Sequence, residues 1–104
     1  MIRIKKTHEF TEWFCRLKDP HARQVIQKRL SMIRAHGGLA GDYRHLGDGV
    51  TELRFHIGPG YRVYTGRFSN TLVVLLLGGN KSSQARDIKR AKELWKEWRD
   101  TYVR

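Results

Sequence analysis

TELRFHIGPGYRVYTGRFSNTLVVLLL, residues Thr51 to Leu77, is strand-like throughout, and its parity decides the fold. Leu53, Phe55 and Ile57 alternate with Glu52, Arg54 and His56, the period of a strand with one apolar face. Gly58-Pro59-Gly60 interrupts the run, and YRVYTGRF then places Val63 and Thr65 on one face, Arg62 and Tyr64 on the other. A loop at 58–60 pairs position 57 with 61, 56 with 62, 55 with 63 and 54 with 64. An even-numbered loop would mix the faces, because a one-residue slip exchanges core for solvent side chains, so an odd loop is expected. Ser69-Asn70 turns into TLVVLLL, apolar on both faces, which reads as a central strand covered by helices on one side.

Working outward, Ile2 and Ile4 alternate with Arg3 and Lys5 as in a short edge strand. Phe10, Trp13, Phe14 and Leu17 recur at helical spacing behind Thr7, a candidate N-cap, giving a first helix near 8–18. Asp19 as cap and Pro20 at the first helical position open a second, with the stripe Ala22, Val25/Ile26, Leu30, Ile33 ending at Gly37-Gly38. The glycine-rich 37–49 reads as a loop with room for a short strand at Tyr43 to Leu46. Beyond Gly78-Gly79, Ser82 or Ser83 caps a last helix carrying Ile88, Ala91, Leu94/Trp95, Trp98 and Tyr102. The expected class is α+β: an N-terminal strand and helical hairpin packed on a small antiparallel sheet, with a C-terminal helix, in one domain over residues 1–104.

The chain has 104 residues with 21 Lys and Arg against 10 Asp and Glu, a formal charge of +11. That balance points to a polyanionic partner rather than to any fold. The longest apolar run, Leu72 to Leu77, is far short of the ~20 residues of a membrane span, and MIRIKK has no signal-peptide apolar region, so a cytoplasmic protein is expected. Cys15 has no partner for an internal disulfide. No two of the histidines (His8, His21, His36, His45, His56) are three to five apart, so neither a metal nor a cofactor is expected.

The hairpin parity gathers Arg54, His56, Arg62 and Tyr64 on the face away from the aliphatic core. Cleaving RNA without a metal needs a base for the 2′-hydroxyl, cations for the charge developing on the phosphorus oxygens, and an acid for the leaving 5′-oxygen. Arginine suits phosphate by its bidentate fork, histidine titrates near neutrality, and a tyrosine ring can stack an unpaired base. Lys81, just after the central strand, adds a second phosphate contact. Glu52 shares this face and reads better as an arginine partner than as a catalyst. A polar face is also what the solvated side of an antiparallel sheet looks like, and a plain RNA-binding module would need the charge alone.

The runs ELRFHIGPGYRVYTG and LLLGGNKSSQARDIKRAKEL together resemble the addiction-module killer proteins, toxins of the RelE/ParE superfamily related to HigB. The resemblance covers nearly the whole chain. It implies a compact α+β toxin of a type II toxin-antitoxin system, made beside a helix-turn-helix antitoxin that neutralises it. For the RelE/HigB branch it implies a metal-independent endoribonuclease, an mRNA interferase that inhibits translation by cutting mRNA on the ribosome. The family's strand residues fall on Arg54 and Arg62, its basic residue after the last strand on Lys81, and a basic or imidazole group on His56. The chain departs from the pattern in one place: SSQARDIKRAK lacks the tyrosine or histidine that RelE-like toxins often carry there, which leaves His56 as the candidate base. The ParE branch shares the fold and poisons DNA gyrase without cutting RNA, which is the alternative reading.

Overall fold

The computed structural model describes residues 2–39 and 41–102. Its elements follow the expected order: β1 (Arg3–Lys6), α1 (His8–Arg16), α2 (Pro20–His36), β2 (Tyr43–Gly47), β3 (Val50–Phe55), β4 (Tyr61–Phe68), β5 (Leu72–Asn80), a single 3-10 turn (Lys81–Ser83) and α3 (Gln84–Tyr102). Thr7 caps α1 by accepting from the Phe10 amide at 3.0 Å, and Asp19 caps α2 through the Ala22 amide at 3.1 Å, with Pro20 at the first helical position. The first helix ends at Arg16, two residues short of the expected 18. Leu17 is already extended with its N–H closed on Phe14, and Asp19 before Pro20 is extended in turn. The last helix is led in by Asn80 rather than by a serine. The Asn80 Oδ1 accepts from the amides of Ser82 and Ser83, while Ser83 Oγ accepts from the Asn80 amide, a reciprocal cap.

The five strands lie in the order β1-β5-β4-β3-β2. All neighbours are antiparallel except β1, which runs parallel to β5, so the sheet is mixed rather than purely antiparallel. The β3–β4 hairpin keeps the expected parity but sits two residues further in. Phe55 pairs with Tyr61, Arg54 with Arg62, Leu53 with Val63 and Glu52 with Tyr64, leaving a five-residue loop at 56–60. The cause is a turn closed by the Gly60 amide on the Ile57 carbonyl, which takes His56 and Ile57 out of the ladder.

Helices cover both faces, not one. On one side Phe10, Ile26, Leu30 and Ile33 pack on Leu53, Phe55, Val63, Val73 and Leu75; on the other, Ala91, Leu94 and Trp95 pack on Val50, Tyr64, Leu72, Val74 and Leu76. The doubly apolar run in β5 demands this arrangement, since either face left open would keep large aliphatic side chains in water. The α3 side is tight: a Cβ added at Gly66 would lie 2.3 Å from the Trp95 ring. The face of Glu52, Arg62 and Tyr64, expected to be solvated, is therefore buried under α3.

Candidate functional site

Each candidate side chain is placed by the hairpin or by the exit of β5. Arg54 and Arg62 are direct cross-strand partners, so two guanidinium groups face one another, an arrangement that repels unless a carboxylate intervenes. Glu52 is that carboxylate. It is fully buried, accepts from Arg54 Nε at 3.1 Å and from Gln84 Nε2 at 2.8 Å, and lies 3.9 Å from Arg62 Nε, beyond hydrogen-bond distance. Its reading as an arginine partner agrees with this geometry. Gln84, on the first turn of α3, gave no sequence signal because its role depends on where α3 lands.

His56, just outside the ladder, meets Asp42: the imidazole Nε2 lies 2.5 Å from Asp42 Oδ2. With Nε2–H donating, the ring's lone pair is left on Nδ1, and the carboxylate holds the tautomer as well as the orientation. Arg54 Nη1 lies 4.0 Å from the same carboxylate oxygen. The Asp42 carboxyl is held below its ordinary range, chiefly by the hydrogen bond from His56, with Arg54 and Arg29 adding their charge. Asp42 is fixed through its backbone, whose carbonyl accepts from the Arg54 amide at 2.9 Å and from Arg29 Nη2 at 2.6 Å. Arg29 also reaches the Arg54 carbonyl at 2.6 Å, tying α2 to both ends of the pair. Asp42 was missed in the sequence because nothing in a glycine-rich loop marks which acid will return to a histidine fourteen residues later.

Lys81 is exposed. At Gly60, with φ +80°, an added Cβ would lie 3.4 Å from Lys81 Cβ and 3.7 Å from Arg62 Nη1, so a bare glycine lies between the base of the Lys81 side chain and the Arg62 guanidinium. The resulting line runs His56, Asp42, Arg54, Glu52, Arg62, then Lys81. Tyr64 does not join it. Its ring is fully buried against α3, and burial first, then the Glu52 charge, push its phenol above the ordinary value; it is a wall of the site and offers no face to an incoming base. Among the described residues, no three His, Cys, Asp or Glu side chains lie together so as to hold a metal ion.

Glu52→Ala is expected to cost about 3 kcal/mol in urea unfolding, the low end for removing one partner of a buried ion pair, since the Arg54 side chain keeps 26% of its exposure and some hydration. Glu52→Gln, which retains an acceptor, is expected to lose less.

No family model matches the chain. An uncharacterized protein of Haemophilus influenzae is 44% identical over 96 residues, which span 92% of this chain and 95% of that one. The chain belongs to the same family as that protein. Among solved structures, a chain of the intact E. coli RelBE toxin-antitoxin complex matches with a TM-score of 0.61 and 15% identity, covering 77% of this chain and 96% of that one. The fold is thus RelE-like.

Proposed function

We propose that this chain is the toxin of a type II toxin-antitoxin system, a single-domain, cytoplasmic, HigB-related member of the RelE/ParE superfamily. It inhibits translation by metal-independent cleavage of mRNA on the ribosome and is neutralised by a cognate helix-turn-helix antitoxin. The RelE-like fold supports the class, and the two sequence runs quoted above support the branch. The observation that carries the chemistry is the Asp42-braced His56 beside Arg54, on a chain of charge +11.

In this reading a scissile phosphate sits against Arg54, Arg62 and Lys81. His56 Nδ1 takes the proton from the ribose 2′-hydroxyl, the 2′-oxygen attacks phosphorus, and the phosphorus–5′-oxygen bond breaks as that oxygen takes a proton from solvent water, giving a cyclic phosphate and a 5′-hydroxyl. The arginines stabilise the charge that builds on the non-bridging oxygens, and Glu52 keeps them together without contacting RNA. No role in stacking bases is given to Tyr64.

Expression without the antitoxin is expected to arrest bacterial growth, and Arg62→Ala is expected to relieve the arrest while melting within a few degrees of wild type. The fold tolerates this loss because Glu52 keeps its hydrogen bonds from Arg54 and Gln84, and the group removed has an Nε without a hydrogen-bond partner. Primer extension on RNA taken after brief induction is the test, with discrete cuts inside translated frames as the expected result. Intact mRNA with accumulating double-strand DNA breaks would replace this reading with ParE-like inhibition of gyrase.

A further inference from the structure

A cleft of about 430 Å³ opens on the other face of the sheet, beside the loop that follows α2, within the size range of small-molecule and base-sized sites. Its floor is Leu39 and Val73. Tyr43 and His45, two apart on β2 and so on the same face, form one wall with ring centroids 5.5 Å apart and planes at 71°. His45 Nδ1 is 2.9 Å from Thr51 Oγ1, which fixes the ring. Arg67 stands exposed at the cleft, one N–H donated to the Gly37 carbonyl at 2.9 Å. Among the described residues, no carboxylate lines the space.

Two aromatic rings, a hydroxyl, a guanidinium and no acid suit a flat heteroaromatic ring attached to an anion. Unpaired bases are held in this way, stacked on aromatic or guanidinium planes beside a contact to the backbone. The cleft lies round the β2 edge from the site above. Asp42, which grips His56, immediately precedes Tyr43, and β2 is an edge strand, so a polynucleotide can pass round it without crossing the sheet.

We propose that the cleft lined by Tyr43, His45 and Arg67 is a second RNA subsite, holding an unpaired base that flanks the phosphate bound at Arg54, Arg62 and Lys81. The proposal rests on the ribonuclease reading and extends it to substrate selection. It predicts that the chain grips single-stranded RNA over more than the scissile phosphate.

The test uses a fluorescein-labelled, 2′-O-methylated single-stranded RNA hexamer, which cannot be cut, titrated with the full chain by fluorescence anisotropy. Tyr43→Ala is expected to weaken binding about tenfold or more, and Tyr43→Trp to restore it. Arg67→Gln is expected to weaken binding and to lower the salt slope by about one. Tyr43 is 41% exposed, so these variants are expected to melt like wild type, and a thermal melt of each accompanies the titration. Tyr43→Ala and Arg67→Gln binding within about twofold of wild type would overturn the subsite. So would adenosine monophosphate shifting the Thr51 amide resonance while the hexamer ignores Tyr43→Ala. Growth arrest relieved by Arg62→Ala in either of those cases leaves the toxin reading intact. Weakened hexamer binding by Tyr43→Ala without any arrest from the wild-type chain keeps the subsite and removes the toxin.

Discussion

His56→Gln is expected to keep ribosome binding but lower single-turnover cleavage about 10²-fold or more, the usual worth of a positioned proton transfer. Glutamine is near the size of the imidazole and can still donate to Asp42, so the loss isolates the proton acceptor from the packing. Asp42→Asn is expected to approach the same loss by a different route. The amide keeps only an uncharged acceptor and adds an N–H that can pair with a bare imidazole nitrogen, so the ring is no longer held in one tautomer and its lone pair can be placed wrongly. Arg54 and Arg29 beside it, after the hydrogen bond from His56, hold Asp42 below the ordinary carboxylate range, so Asp42 stays ionised into mildly acid solution. An acid limb in the rate profile is therefore not the titration of Asp42. Arg54→Ala is expected to differ from both, weakening RNA binding and flattening its dependence on salt, because a phosphate contact and its released counterion are lost together. Cleavage by His56→Gln within about threefold of wild type would leave Arg54, Arg62 and Lys81 as an electrostatic site with no protein base.

The order of elements was legible because each signal is local. Thr7, Asp19-Pro20 and Gly37 act within one turn of the chain, and the alternation of residues 52–57 survives whatever the hairpin loop does. The parity of Arg54 and Arg62 followed from the same alternation, since any odd loop preserves it. The register depended on how Gly58-Pro59-Gly60 turns, and the observed five-residue loop moved His56 from the ladder to a place where it can meet Asp42. Burial of the polar face was less visible. Glu52, Arg62 and Tyr64 alternate as solvent-facing residues do, yet they lie under α3, where Arg54 and Gln84 satisfy the Glu52 carboxylate and the Tyr64 ring joins the apolar packing. The contacts that sequence could not supply span helix to strand, helix to loop or loop to loop: Gln84 to Glu52, Arg29 to two carbonyls, Asp42 to His56.

Val63→Asp is expected to leave the chain without a cooperative thermal transition, and the contrast with Glu52 gives the reason. Both residues are fully buried in neighbouring strands of one hairpin, Val63 paired with Leu53 and Glu52 with Tyr64. Glu52 is tolerable because Arg54 Nε and Gln84 Nε2 donate to its two oxygens and Arg62 adds positive charge nearby. Val63 faces the opposite way, into the cluster of Ile26, Leu53, Phe55, Val73 and Leu75, five side chains without a polar atom to receive a carboxylate. An aspartate there must be buried as an unpaired ion or taken up as a proton-bearing acid without a partner, at several kcal/mol in either form. A domain of this size has about 5–15 kcal/mol of total stability, and the lost valine packing adds to the charge penalty. The far-UV circular-dichroism melt of Val63→Asp, compared with wild type and with Arg62→Ala, measures the outcome. A wild-type melt for Val63→Asp would place Val63 on a solvated face and overturn the two-sided sheet, whereas loss of the transition in Val63→Asp alone fixes which face of β4 carries the core and which carries the arginines.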